Sequence, residues 1–240
     1  MDSLISIVQD IRNFIYGGMV TLPLTISGTM LILGLFTANY AILFFLIGFL
    51  IITPCVSTMI NLGIGKMLSP ESRLFMAKTT DICKIYVPYS YITKPHNPTP
   101  ENVISSPWVA MVSFFMGYIF TNGIQLYNRN ITESTLKIKT DSSSDLDSKV
   151  TNRKSQAIIS IVSVVAFSIC ALGYRYYSGC ESAVGMIPTS IVFILLGVGW
   201  YKALSSIGED RLSDLFGIAN RLLPPSAITN GPIACVPVRA

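Results

Sequence analysis

Side chains able to carry out catalysis are few in this chain and stand apart from one another. His96 is the only histidine, and it sits in Lys94-Pro-His-Asn-Pro-Thr-Pro100 with no serine or cysteine nucleophile in a motif around it. A general base needs its nucleophile within hydrogen-bond reach, so a lone loop histidine reads as solvated. The five cysteines, Cys55, Cys83, Cys170, Cys180 and Cys235, form no C-x-x-C pair, and the thiolate spacing of a zinc site is missing. Cys55 and Cys170 lie in apolar runs and read as packing residues. Cys83, Cys180 and Cys235 can pair only if the fold brings them to one side. The acidic pairs Glu209-Asp210 and Asp145 with Asp147 read as helix capping and solvation rather than as metal ligands. No G-x-x-x-x-G-K-[ST], H-E-x-x-H or G-x-S-x-G is present, so the expectation is a non-enzyme with no cofactor and no metal.

The elements that hold these residues are apolar. Positions 13 to 65 contain no Asp, Glu, Lys or Arg, and a bilayer crossing needs only about 20 apolar residues. The stretch therefore accommodates a hairpin of two spans, at Gly18 to Phe36 and Tyr40 to Met59, turning at Thr37, Ala38 and Asn39. Hydrophobic residues make up 51% of the chain against 12% charged, well below the roughly 25% charged of soluble domains. The formal net charge of +4 is spread without a block of like charges, which argues against a nucleic-acid partner. A third span runs from Trp108 to Gln125, with Pro107 at its first position and Trp108 expected at the membrane interface. A second hairpin joins Ala157 to Tyr174 with Val184 to Tyr201. Arg175, Tyr176, Tyr177, Cys180 and Glu181 at its tip, and Trp200, Tyr201 and Lys202 at its far end, read as interfacial anchors. Gly117 with Thr121 and Ala166 with Cys170 are small pairs four apart, and the first reads as lipid-facing. Pro23 and Pro54 are expected to bend their helices.

The predicted fold class is all-α and polytopic, with about five transmembrane helices, an amphipathic N-terminal helix, and an amphipathic C-terminal helix followed by an extended tail. The expected segments are the N-terminal helix 1–16, a hairpin 17–65, an extramembrane loop 66–106, a third span 107–127, a polar loop 128–155, a hairpin 156–204 and a tail 205–240. Asp2 stands where a cleaved signal would be basic, so the N-terminal helix is expected to stay and lie at the interface. In the first loop, Tyr86-Val-Pro-Tyr-Ser-Tyr91 and the prolines read as a stiff connector. Much of 128–155 reads as disordered in isolation. Asn130-Ile-Thr132 matches a glycosylation acceptor that matters only in a lumen. Seven basic residues lie on the N-terminal side of the spans and ten on the other, which favours a cytoplasmic C-terminus.

In the tail, Leu212, Leu215, Phe216, Ala219, Leu222 and Leu223 fall on one helical face, with Glu209 and Asp210 at its start, Arg221 near its end and Pro224-Pro225 as a stop. Beyond it, Ser226 to Ala240 carries a turn at Asn230-Gly231 and needs a surface to lie on. Asp214-Leu-Phe-Gly-Ile218, Leu222-Leu-Pro224 and Gly231-Pro-Ile-Ala-Cys-Val-Pro237 are similar to the C-terminal ends of multi-span membrane proteins of large icosahedral double-stranded DNA viruses. The resemblance covers roughly the last thirty residues. It implies a membrane-associated minor capsid protein of the virion's inner membrane, or of a host internal membrane during assembly, touching the shell through its loops and tail.

The expected spans hold no ionisable residue of the kind transporters use to relay charge. The expected function is structural: a membrane anchor between a bilayer and an overlying capsid or scaffold protein. Its contact residues would be Leu212, Leu215, Phe216 and Leu222 on the tail helix and Ile233, Val236 and Val238 beyond it. The alternative is a small channel or carrier built from copies of the chain, with Asn122 and Gln125 lining a pore.

Overall fold

The computed structural model describes residues 2–67, 105–128, 143–208 and 210–215, and its regular elements there are all helical. They are α1 (Asp2–Val20), α2 (Leu22–Phe36), α3 (Tyr40–Ile47), a π-helical segment (Gly48–Ile52), α4 (Thr53–Met67), α5 (Pro107–Asn128), α6 (Ser143–Tyr177), α7 (Ala183–Gly208) and the short α8 (Asp210–Ser213). Among the described residues four helices are long and apolar enough to cross a bilayer: Tyr40–Ile64, Pro107–Asn128, Lys154–Tyr177 and Ala183–Ile207. The bent pair Gln9–Val20 and Leu22–Phe36 makes a fifth if it counts as one span. The protein is all-α, with the make-up of an integral membrane protein.

The first span departs from the continuous helix expected over Gly18 to Phe36. The chain breaks at Thr21, and α2 leaves α1 at 69°. Pro23 supplies the reason: it has no N–H, so the carbonyl of Met19, four residues back, loses its helical donor. The indole N–H of Trp108 donates to that carbonyl instead, at 2.9 Å. Beyond the elbow, α1 exposes Ile7, Ile11, Phe14 and Ile15 along one face, with Phe14 83% accessible. An apolar stripe on a helix turned out of the bundle is suited to lying in the headgroup region. Pro54 meets a different solution, because the widened π turn sits just before it. Thr53 N–H reaches the Gly48 carbonyl, and the turn absorbs the ring that would strike the Leu50 carbonyl in a regular helix.

Helix α5 is the enclosed centre. Its residues Trp108 to Phe114, and again Gly117 to Ile119 and Thr121 to Gly123, are buried. It packs parallel to α7 where a Cβ on Gly117 would run into the Ile194 carbonyl, and one on Gly197 into the Phe114 carbonyl. Close helix approach of this kind needs glycine on both sides. The Gly117–Thr121 pair is thus a helix interface and not the lipid-facing surface expected. Ala166 and Cys170, the other small pair, are exposed on α6. Phe45 joins α3 to α5 through ring contacts with Phe49, Phe114, Phe115 and Tyr118 at 5.0–6.1 Å. Offset and edge-on aromatic pairs of this spacing each add about 0.5–1.5 kcal/mol beyond burial.

The outer helices turn their apolar side chains outward: Ile158, Ile159, Val162 and Ile169 on α6, and Ile187, Ile191, Val192 and Leu195 on α7. Such a surface is costly in water and neutral in acyl chains, which is why the bundle needs a bilayer. With 35 residues, α6 is about 52 Å long at ~1.5 Å per residue. It outruns the bilayer core of about 30 Å, and its first turns, Ser143 to Arg153, project past the end of α5. These residues fall in the stretch read as loop or disorder. A polar segment continues a helix at low cost once the apolar part has nucleated it, and Lys154 Nζ also lies 5.9 Å from the Tyr127 ring centroid.

Candidate functional site

Polar contacts gather at the two ends of α5. At its N-terminal end the side chain of Asn61 grips the backbone of Ser105: Nδ2 donates to the carbonyl at 3.1 Å and Oδ1 accepts the N–H at 2.8 Å. The Ser57 and Ser105 hydroxyls lie 3.3 Å apart beside them. The end of α4 is thereby pinned to the start of α5. Trp108, expected at the lipid interface, is wholly buried instead. Its N–H holds Met19, and the Arg175 guanidinium lies 5.1 Å from its ring centroid.

Arg175 stands in the last turn of α6, and Arg175 Nη2 donates to Glu181 Oε1 at 2.9 Å. The residues are 2% and 8% exposed, so these charges are turned inward rather than used as anchors. Tyr176 and Tyr177 beside them are exposed and do suit that role. The local geometry follows from a glycine C-cap. Gly179, at φ +70°, lets Cys180 N–H reach the Arg175 carbonyl while Gly179 N–H bonds to Tyr176, the Schellman closure of a helix end. That turn swings Glu181 back over Arg175. The pairing is legible in hindsight as opposite charges flanking a Gly turn. The link from Pro23 through the orphaned Met19 carbonyl to Trp108 has no sequence signal beyond the proline.

Trp108→Phe keeps the ring and removes the donor. We expect a loss of about 1–2 kcal/mol from the unsatisfied Met19 carbonyl, seen as faster amide hydrogen exchange at Gly18 to Thr25 while the α5–α7 core keeps its protection.

At the other end of the bundle the tail turns back onto it. Tyr118 Oη donates to the Ser213 carbonyl at 3.1 Å, and Asn39 Nδ2 donates to the Leu215 carbonyl at 3.3 Å. Asn39 serves twice, because its Oδ1 also caps α3 by accepting Ala41 N–H at 3.0 Å. Tyr201 meets Tyr118 edge-on at 5.3 Å, and Trp200 donates its indole N–H to the Phe44 carbonyl at 3.1 Å. Tyr201 is therefore a buried residue and not the interfacial anchor expected, whereas Lys202 is exposed. Of the proposed contact residues, Leu215 is buried within the protein's own core, and Leu212 packs against the same core half-buried. Helix α8 stops at Ser213, short of the continuous helix expected to Leu223, because the chain turns at Asp214 and the Leu215 carbonyl meets Asn39. Phe216, Leu222, Ile233, Val236 and Val238 lie outside the described residues.

Within the spans several threonine hydroxyls are spent locally, whereas those of Ser113, Ser168 and Ser190 are buried without a partner. Thr25, Thr29, Thr58 and Thr121 each donate to the carbonyl four residues earlier. Asn122, one of the two pore-lining candidates, is buried with its Nδ2 unpartnered, while Gln125 is exposed. Among the described residues no group of His, Cys, Asp or Glu is arranged to hold a metal ion. The fold and its two polar ends define a polytopic helical membrane protein. No family model, curated protein or solved structure matches the chain.

Proposed function

We propose that this is a structural, non-enzymatic membrane protein that ties a bilayer to an overlying protein assembly. The observation that carries the reading is the clasp on the tail. Asn39, Tyr118 and buried Leu215 hold the chain where it leaves the bundle, so whatever follows Leu215 starts from a fixed point beside the bilayer. A fixed exit lowers the entropy lost when the tail binds a partner. On the same side the first turns of α6 extend the bundle beyond bilayer thickness, giving a second point of contact. The tail's resemblance makes the inner membrane of a virion and its capsid shell the specific form of this role, with Phe216, Leu222, Ile233, Val236 and Val238 as contact residues.

Cross-linking mass spectrometry on the intact native membrane or particle tests this, following Lys149, Lys154, Lys202 and the tail. Links to an abundant shell or scaffold protein support the role, and links confined to the chain and its copies overturn it. Truncation sharpens the test. A chain ending after Leu215 should keep its thermal midpoint and lose the links, whereas one ending after Gly208 should also lose about 2–4 kcal/mol through the missing Leu215 burial and the orphaned Tyr118 hydroxyl.

The second reading, an oligomeric channel or carrier, draws on buried Asn122 with its free Nδ2. Liposome flux that falls in Asn122→Ala would favour it.

A further inference from the structure

We infer that α1 is an in-plane membrane helix that inserts into packing gaps between lipid headgroups, so that it responds to how loosely one leaflet is packed and not to its charge. The elbow sets the depth of α1. The Met19 carbonyl accepts the indole N–H of Trp108, which stands in the first turn of the spanning helix Pro107–Asn128. Met19 and Leu22 also pack against the small apolar cluster of Trp108, Val109, Val112 and Ala171. The end of α1 is therefore fixed level with the start of a span, at the edge of the hydrocarbon. From that point α1 leaves α2 at 69°, so it is turned toward the plane of the membrane rather than along its normal.

The side chains of α1 are divided to suit this position. On a helical projection Ile7, Ile11, Phe14 and Ile15 fall within an arc of about 100°, and Ser6, Gln9, Asp10 and Asn13 fall on the other side. Both sets are exposed, so the described bundle leaves the apolar arc uncovered. On α2, Leu24, Leu31, Ile32 and Leu35 are exposed as well, and the surface offered to acyl chains thus continues across the elbow onto α1. That continuity makes the bilayer the occupant of the arc.

The polar face decides which kind of bilayer. Amphipathic helices drawn to anionic lipid carry Lys and Arg on that face. Residues 2–20 hold two acids, Asp2 and Asp10, and one base, Arg12, so α1 has no cationic face to attract an anionic leaflet. What holds it down is the insertion of its apolar side chains. Insertion is easiest where headgroups stand apart and acyl carbon meets water, as in a curved leaflet or one rich in small-headed lipids. The spans keep the protein in the bilayer in either case, so α1 can report on packing without carrying the attachment. The inference rests on the membrane crossings and not on the anchoring role.

The test uses the full-length protein in phosphatidylcholine vesicles, with Phe14→Trp as a fluorescent reporter and the wild-type chain supplying the background of Trp108 and Trp200. Dioleoylglycerol opens packing gaps without adding charge, and phosphatidylserine adds charge without opening gaps. The expected result is a blue-shifted reporter whose quenching by brominated phosphatidylcholine rises with dioleoylglycerol and is unchanged by phosphatidylserine or salt. Quenching absent at every composition, as when a second copy of the chain covers the arc, would overturn the insertion. Quenching that follows phosphatidylserine, or that ignores dioleoylglycerol, would overturn the dependence on packing. Ile11→Asp in the reporter chain should abolish the quenching and keep the thermal midpoint, and a fall in the midpoint would show the arc packed against protein and overturn the proposal. The tail cross-links read other residues, so either proposal can fail alone.

Discussion

Replacing Gly117 with leucine should destabilise the bundle sharply. The Cβ alone would meet the Ile194 backbone, so no rotamer choice relieves the collision and α5 and α7 must separate. Separation pulls Tyr118 away from Tyr201 and breaks the matching contact at Gly197, where the Phe114 carbonyl leaves no room for a side chain. Overpacking of a rigid core costs about 1–3 kcal/mol, and a backbone collision at the central crossing belongs at or above the top of that range. We expect a loss of about 3 kcal/mol or more, with Gly197→Leu behaving alike. Gly173→Ala is the control, since a Cβ there meets nothing within 4 Å. Helix propensity should make that change neutral or stabilising by up to about 1 kcal/mol. Thermal unfolding in bicelles would separate the outcomes, and a Gly117→Leu protein with the wild-type midpoint would refute the close crossing.

The second large effect is expected at the charged turn. Glu181→Leu leaves the Arg175 guanidinium buried against Trp108 without its carboxylate. Breaking a buried pair by removing one partner costs about 3–5 kcal/mol, mostly as the penalty on the charge left behind. Arg175→Leu should cost a similar amount for the mirrored reason. The double variant, Arg175→Leu with Glu181→Leu, should recover most of the loss, because two apolar groups of similar volume leave no stranded charge. A thermodynamic cycle on the four proteins measures this coupling directly. If the single losses simply add, the two side chains do not act as a pair. A salt titration adds a second readout, since a pair this enclosed should respond weakly to ionic strength, unlike a surface pair.

These two sites show where sequence reasoning stopped. Both lie at residues whose importance comes from a neighbour on another helix. Gly117 with Thr121 is a common small-residue spacing, and only the facing Gly197 turns it into a crossing. Arg175 and Glu181 flank a turn as interfacial anchors often do, and only the Gly179 C-cap aims them at each other. Trp108 and Tyr201 have the composition of interfacial residues, yet the carbonyl freed by Pro23 and the ring of Tyr118 claim them for the interior. Leu212 and Leu215 carry an amphipathic pattern, which says that a face will be covered but not by what. Here the cover is the protein's own core.

What the sequence determined by itself was the membrane-spanning, all-helical character, most of the span positions and the helical first segment. The reason is that the bilayer imposes its demand along the chain: a crossing needs its apolar residues to be consecutive, and the backbone must satisfy itself within the segment. The tertiary structure decided which helix is central, where α1 turns away from α2, which charges face inward and where the tail is held. Those outcomes depend on the registers of helices distant in sequence, where a single missing Cβ or one unpaired carbonyl selects the partner, and no local pattern encodes that choice.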